Sequence, residues 1–455
     1  MSHHCHQTDS GVTGAQVVDI TIAFDALQLQ CQIDRSSTLQ VETRLTCALP
    51  RDWAAGGAGA ASRTAGPARS AAERDVQTGK HAARAAFATY ELDAASGLRR
   101  GQVVLADVTQ GEGPGDWALA EDVKVQEGGE DGAWNVRVDA VGETTGAGVF
   151  DVKWAAPWLA AANSDGTVTL FPGAGEGIGE AGARDPLERK VVVPLTSAEQ
   201  DASFCLSLDW NNRRSGHIEG AKLAVSQANG RLGIVDVHEG EVLQAWDAHA
   251  YPDGSPAETW ITAFDCWDAQ VLVSGADDAK LKVWDLRIGT AAPLQTNRVH
   301  EAGVCSVQFS TLKQHVFATG SYDQQVRVWD RRKLKEPTLP ALNLQGGVWR
   351  VKWHPGQPDL LLTAAMRSGF VVLDTSGAEI SPVSYYRDVG SQEDALGPGS
   401  WEALGYGADW LLVPPPPSSD GTSPAPMPLL ATASFYDRTL RLLTSSLQPF
   451  ADHTS

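Results

Sequence analysis

The chain has 455 residues, 42% of them apolar, and a formal net charge of −20. That length suits either two or three average domains or one long all-β ring. A field this negative repels phosphate backbones and argues against nucleic-acid binding, and no apolar run approaches the roughly 18 residues of a membrane span.

The start, MSHHCHQTDSGVTG, has neither a basic stretch followed by an apolar one nor an Arg-rich, acid-poor character. Nothing in it directs the chain out of the cytosol, so a cytoplasmic protein is expected. His3, His4, Cys5 and His6 form a donor set for a soft metal, but in a polar terminus they read as part of a tail over residues 1–15. No metal and no cofactor are expected. The six cysteines are scattered without CxxC spacing; three of them (Cys205, Cys266, Cys305) sit inside apolar runs, as buried free thiols do.

One domain is expected over residues 16–448, with a tail over 449–455. VVDITIAFDALQLQ and STLQVETRLTCAL each have strand character, and either one can supply the strand that closes the ring with the last repeat. An Ala/Gly-rich insertion follows, over about 54–86. FATYELDAASGLRRGQVVLADV (Phe87 to Val108) then reads as two apolar strands around a Gly-containing turn.

The strongest internal similarity lies further on. SGADDAKLKVWDLR (Ser274 to Arg287) matches TGSYDQQVRVWDRR (Thr319 to Arg332). In each, a strand runs into a tight turn carrying Asp278 or Asp323, and the next strand ends in Trp-Asp. These resemble WD repeats, the four-stranded blades of a β-propeller. The same turn position recurs at Asp165, Asn229, Arg367 and Asp437, so successive anchors are 64, 49, 45, 44 and 70 residues apart. The repeat itself takes ~40–45 residues. The two long steps contain FPGAGEGIGEAGARDP and VPPPPSSDGTSPAPMP, and Gly/Pro-rich insertions are expected over about 172–190, 388–400 and 413–427. Six anchors and the Phe87–Val108 segment predict an all-β, seven-bladed WD-repeat β-propeller acting as a monomer.

Polar residues that recur with the repeat are structural. His249, Ser274, Asp278 and Trp284 in one repeat, and His300, Thr319, Asp323 and Trp329 in the next, resemble the hydrogen-bonded network of WD blades. A catalytic triad needs only one copy. The chain has no G-x-S-x-G elbow, P-loop, dinucleotide fingerprint or H-E-x-x-H, so any activity must come from residues particular to this ring.

Stacking the inner strands shows where. VFDVKWA (from Val149), CLSLDWN (Cys205), ITAFDCW (Ile261), VCSVQFS (Val304), VWRVKWH (Val348) and GYGADWL (Gly405) place Asp151, Ser207, Ala263, Ser306, Arg350 and Gly407 in the third column. Five blades have a small or acidic residue where one has a guanidinium. The fifth column, on the same strand face, is polar throughout: Lys153, Asp209, Asp265, Gln308, Lys352 and Asp409. These form a charged collar near the axis. Arg350 needs an anionic partner or a ligand, and both readings stand: an ion pair with Asp151 or Asp409, or a site. The blade also lacks the entering His, and carries Arg367 at the turn and Leu373 at the Trp position. The strand direction of WD propellers puts Gly346, Gly347, Arg367 and Ser368 at one mouth of the channel, and His354 towards the other as a solvated loop residue.

GGVWRVKWHP (Gly346 to Pro355), AAMRSGF (Ala364 to Phe370), YGADW (Tyr406 to Trp410) and ATASFYDRTLRLL (Ala431 to Leu443) resemble, in order, the C-terminal signatures of the diphthine methylesterase WD-repeat proteins of diphthamide biosynthesis. The chain departs from that pattern at Arg367, where the family has His, and at Leu443, where it often has Trp. The resemblance implies hydrolysis of a methyl ester on methylated diphthine, a modified histidine of elongation factor 2, which is then the partner. Such a substrate carries a trimethylammonium group, which aromatic faces and carboxylates attract. Trp349, Trp410 and Tyr436 are candidates for its cage with Arg367 beside them, or else blade-packing aromatics. The Gly346 and Gly347 amides and Arg350 are candidate oxyanion donors. Asp409 and Asp437 are possible bases, the latter also being a turn residue. A non-catalytic WD-repeat adaptor is the alternative.

Overall fold

A computed structural model describes residues 41–47, 82–92, 99–111, 117–120, 123–128, 133–155, 158–172, 187–188, 190–195, 203–214, 218–386, 404–413, 427–434 and 439–444. Within them the regular structure is strand, apart from one 3-10 turn at Arg331–Lys333 capped by Asp330. The apolar segments between Gly and Asp turns pair with their neighbours as antiparallel meanders, the arrangement that short connections favour. The first of five four-stranded sheets joins Val149–Ala155, Trp158–Asn163, Thr167–Phe171 and Val191–Pro194. The other four open with the inner strands Cys205–Trp210, Ile261–Asp265, Val304–Phe309 and Arg350–Trp353. A sixth sheet, Gly405–Val413, Met427–Ser434 and Thr439–Thr444, completes the WD-repeat β-propeller blades that carry the anchored turns.

Among the described residues six blades of the anchored kind are therefore present, not the seven the sequence predicts. The upstream segment makes a different, five-stranded sheet of Val41–Cys47, Ala82–Leu92, Gln102–Gly111 and Ala133–Glu143, with Arg99–Arg100 paired to its second strand. Ala82–Leu92 and Gln102–Gly111 are the two strands read around Phe87 to Val108, with Phe87 opposite Val104. The first of them starts inside the stretch read as an insertion. Ring closure also differs from expectation. Val123–Gly128 pairs in parallel with Thr439–Thr444, and Trp117–Ala120 extends that sheet. Val41–Cys47, from STLQVETRLTCAL, instead packs between Val149–Ala155 and Gly405–Val413. VVDITIAFDALQLQ, the His/Cys cluster, Tyr436 and Asp437 lie outside the described residues.

The core is the space between blades, filled by large side chains such as Trp210, Trp284, Trp329, Phe264 and Phe317, all fully buried. The repeated polar network is structural. His249 bonds Asp278 at 3.0 Å and Ser274 at 2.8 Å, and the Trp284 indole donates to Ser274 at 2.9 Å. His300 meets Thr319 at 3.3 Å, the Trp329 indole donates to Thr319, and Arg327 donates to Asp323 at 2.8 Å. Burial lowers the proton affinity of both imidazoles, which keeps them neutral links inside the blade.

The inner strands are joined by a second repeated device. The Trp210, Trp353 and Trp410 indoles donate to the main-chain carbonyls of Lys153, Gln308 and Lys352 on the preceding blade, at 2.8, 3.1 and 2.9 Å. In the other direction, side chains of the third and fifth columns reach the next blade. Asp151 accepts from the amide of Leu208, Ser306 from Val351, and Asp209 from Phe264. The collar is thus blade-to-blade bonding, with Lys352 paired to Asp409 at 2.7 Å and Lys153 near both Asp151 and Asp209.

One register differs from the stacked sequences. The Thr259 amide donates to Gln227 O, as the Val304 amide donates to Ala276 O and the Val348 amide to Ser321 O. Thr259 and Trp260 therefore stand beside Val304–Cys305 and Val348–Trp349, and the third and fifth columns of the blade opened by Ile261–Asp265 are Ile261 and Ala263. Asp265 falls at the strand's far end, where it pairs with Arg331 at 2.6 Å.

Candidate active site

The corrected register exposes a column that polar sorting passes over. Second-column residues are Phe150, Leu206, Trp260, Cys305, Trp349 and Tyr406. In four of these strands the pairing shifts at that residue, between Val149 and Asp151, Cys205 and Ser207, Val304 and Ser306, and Gly405 and Gly407. A bulge leaves one residue out of the ladder and re-aims its side chain. The side chains gather into an apolar rim at one mouth of the channel.

Trp349 is the centre of this rim. Its ring lies 5.5 Å from Trp260 and 5.5 Å from Tyr406, both edge-on, and 5.7 Å from Tyr322. The Arg350 guanidinium stands 5.4 Å above the same ring and donates to Trp349 O at 3.1 Å. The glycines come next. A Cβ on Gly346 would meet Ala365 O at 2.2 Å and the Ser368 hydroxyl at 3.0 Å, while one on Gly347 would meet Met366 Sδ at 2.8 Å and Tyr322 at 3.1 Å. Only glycine lets this chain lie against the 364–369 turn. That turn is closed by Ser368 N to Ala365 O at 2.8 Å, and Met366 takes a φ of 42°. Exposed Arg367 sits at its tip. Gly346 and Gly347 thus lie against the turn that carries Arg367, with Trp349 and Arg350 next along the chain.

Asp409 and Trp410 are not with them. They lie three and four residues beyond Tyr406 on the same strand, roughly 10–13 Å along it at ~3.3 Å per residue. Asp409 is taken by Lys352 and by the Trp410 amide. Trp410 is 4% exposed, bonded to Lys352 O, and edge-on to His354 at 4.5 Å. These are blade-joining residues. Asp151 is likewise engaged by Ser207, Leu208 and Lys153. His354 is buried rather than solvated. Its Nδ1 accepts from the amides of Gly356 and Gln357, and burial pulls its pKa down to about 4.

One side of the rim is acidic. Trp260 Nε1 donates to Asp277 Oδ1 at 3.0 Å, and the Tyr251 hydroxyl donates to Asp277 Oδ2 at 3.1 Å. Glu258, two residues before Trp260, accepts the Asp277 amide on its carbonyl at 3.0 Å. Burial, then the Asp277 charge, push the Glu258 carboxyl up to about 7. The Cys305 thiol, within the fields of Asp277 and Arg350, is raised well above its ordinary value by burial and is no thiolate nucleophile. A correct register would have put Trp260 in line with Trp349. The doubled acid Asp277–Asp278, where the sister turn reads Tyr322–Asp323, was the other available signal.

Among the described residues no group of three or more His, Cys, Asp or Glu side chains could hold a metal ion. In the same residues no helix is long and apolar enough to cross a membrane.

Known proteins align with this arrangement. Residues 291–330 match the WD domain, G-beta repeat family. Human diphthine methyltransferase is 36% identical over 230 residues, 48% of this chain and 47% of that protein. The Schizosaccharomyces pombe diphthine methyltransferase is 28% identical over 356 residues, 77% of this chain and 87% of the relative. The chain spans about half the length of the human relative. The diphthine methyltransferase homolog of Dictyostelium discoideum is 32% identical over 274 residues, 57% of this chain and 68% of the relative. On that coverage and identity the chain belongs to the diphthine methyltransferase family of WD-repeat proteins.

Proposed function

We propose that this protein acts in diphthamide biosynthesis as a carboxyl methyl esterase, hydrolysing the methyl ester of methylated diphthine on elongation factor 2 in the cytoplasm. The observation that carries the reading is the rim itself: Trp349 flanked by Trp260, Tyr322 and Tyr406, with a carboxylate on one side and a guanidinium on the other. A trimethylammonium group gains from aromatic faces, about 0.5–2 kcal/mol for each well-placed ring, and from the Asp277 charge. Tyr436 stays a candidate for the same cage, and Arg367 for contact with the protein substrate.

The chemistry asked of the site is addition of water to the ester carbonyl and departure of methanol. Developing charge on the carbonyl oxygen needs preorganised donors, each worth roughly 3–4 kcal/mol in a site that excludes water. The Gly346 and Gly347 amides, which make no hydrogen bond to other described residues, and the Arg350 guanidinium are the donors in reach of the rim.

The test is direct. Purified protein is incubated with methyl-esterified diphthine on elongation factor 2, and the modified peptide is followed by mass spectrometry. Loss of one methyl group with release of methanol is expected. No loss at high protein concentration would leave the adaptor reading in its place.

A further inference from the structure

We propose that the open part of the rim is a subsite selective for a quaternary over a primary ammonium group, with Trp260 and Tyr322 as its walls and Asp277 as its counter-charge, and that Tyr251 positions Asp277. This takes the rim as the substrate site of the esterase reading above.

Trp349 and Tyr406 are buried, and the Arg350 guanidinium already stands over the Trp349 ring. Trp260, Tyr322 and Asp277 are only half-buried, so part of each faces solvent. Their side chains are brought together from two directions. Trp260 Nε1 donates to Asp277 Oδ1 at 3.0 Å. Gly303 touches both the carboxylate and the phenol ring: a Cβ there would meet Asp277 Oδ1 at 2.5 Å and Tyr322 Cδ2 at 3.3 Å. A Cβ on Gly347 would meet the other edge of the ring, Cδ1, at 3.1 Å. Carboxylate and ring therefore stand side by side over one glycine, and a second glycine seats the ring from its opposite edge. The Tyr251 hydroxyl donates to the remaining oxygen, Asp277 Oδ2, at 3.1 Å. Tyr251 comes from the loop between His249 and Thr259, which is longer than its sister between His300 and Val304. That loop is tied by Ala257 N to His249 O, by Tyr251 N to Ser255 O and by the pairing of Ala250 with Pro256.

Each Asp277 oxygen thus accepts from a neutral donor, which favours the ionised carboxylate. Among the described residues it has no basic partner, because His249 and Lys280 go to its neighbour Asp278. A negative charge is left uncompensated beside two aromatic rings. A quaternary ammonium group suits that place, since it brings positive charge without N–H groups that need acceptors. A primary ammonium has three donors to satisfy, and indole and phenol walls replace too little of the water it would lose.

The test titrates the full-length protein with three probes while tryptophan fluorescence is followed. They are choline, its uncharged isostere in which a tert-butyl group replaces the trimethylammonium, and its primary-amine counterpart ethanolamine. Choline is expected to saturate and to bind about 10–30-fold more tightly than either of the others. Asp277→Asn should bring choline down to the affinity of the isostere. Tyr251→Phe keeps the ring and loses the donor, so it should weaken choline and leave the isostere unchanged, a split that a merely structural residue would not produce. Gly303→Ala, which crowds carboxylate and ring alike, should weaken both. The subsite is overturned by the lack of a saturable choline response, by equal affinities for choline and either other probe, or by a folded Asp277→Asn protein with wild-type choline affinity. The probe series on the wild type decides alone if that variant does not fold. Hydrolysis of the methyl-esterified protein is measured in parallel. Selective choline binding without hydrolysis supports the cation site and removes only the esterase; hydrolysis without selectivity overturns the cation site and keeps the esterase.

Discussion

Replacing Trp410 by Phe separates a blade-joining indole from a substrate-contacting one. Trp410 is 4% exposed, and its N–H donates to Lys352 O at 2.9 Å across the seam between two blades. Phe keeps a ring against His354 but deprives a buried carbonyl of its donor, a loss of about 1–3 kcal/mol. The missing part of the indole removes about 40 Å² of buried apolar surface, or ~1 kcal/mol at 25 cal/mol per Å². Together the cost is about 2–4 kcal/mol, and the seam should loosen without any change in the rim roughly 13 Å away along the strand. The assay is urea unfolding alongside steady-state kinetics on the methyl-esterified substrate. A lowered unfolding midpoint with KM unchanged is expected. An unchanged midpoint with a raised KM would refute the reasoning and return Trp410 to the substrate cage.

The two glycines should behave differently. In Gly346→Ala the new methyl group meets the Ala365 carbonyl at 2.2 Å, so backbone must move and about 1–3 kcal/mol is lost; Gly347→Ala meets the ends of Met366 and Tyr322, which can turn aside, and should cost less by the same unfolding measurement. Lys352→Ala strands the Asp409 carboxylate in the seam and should destabilise by about 3–5 kcal/mol, with much of the loss recovered in the Lys352→Ala/Asp409→Ala double variant. A Lys352→Ala protein as stable as the wild type would mean that the Lys352–Asp409 pair does not join the two blades. His354 is neutral in the fold, with a pKa near 4 against about 6.5 when unfolded. Its contribution to stability is full above pH 6.5 and is lost as pH falls towards 4, because the unfolded chain binds the extra proton. Stability measured across that window should decline less steeply in His354→Gln; parallel declines would show that the imidazole does not titrate on unfolding.

Much of the propeller was legible because a repeat is a local statement made several times. Asp278 and Asp323 end comparable strands 45 residues apart, and turn geometry forces the same hydrogen bonds on both copies, as the His–Ser/Thr–Trp networks bear out. The blade opened by Ile261–Asp265 differs from its sequence alignment for a local reason too. Ile261, Thr262 and Ala263 alternate as well in one register as in another, and long-range contacts such as the Thr259 amide bonding to Gln227 O and the pairing of Ile261 with Gly275 distinguish them.

The sequence by itself determined the kind of ring, the structural role of the recurring His and Asp residues, and the grouping of Gly346, Gly347, Trp349 and Arg350, since these follow from strand period and from neighbours in the chain. Tertiary structure alone decided which segment pairs with the last blade, because Val123–Gly128 meets Thr439–Thr444 in parallel across more than 300 residues of chain. It also decided that Lys352 holds Asp409, and that Trp410 serves the seam while Trp260 serves the rim. Side chains of one strand alternate between two neighbouring blades, and which of them a polar group reaches depends on blade packing, a distance no stretch of sequence contains. Glu258 shows this most clearly: unremarkable between Ala257 and Thr259, it acquires its high proton affinity only where folding buries it beside Asp277.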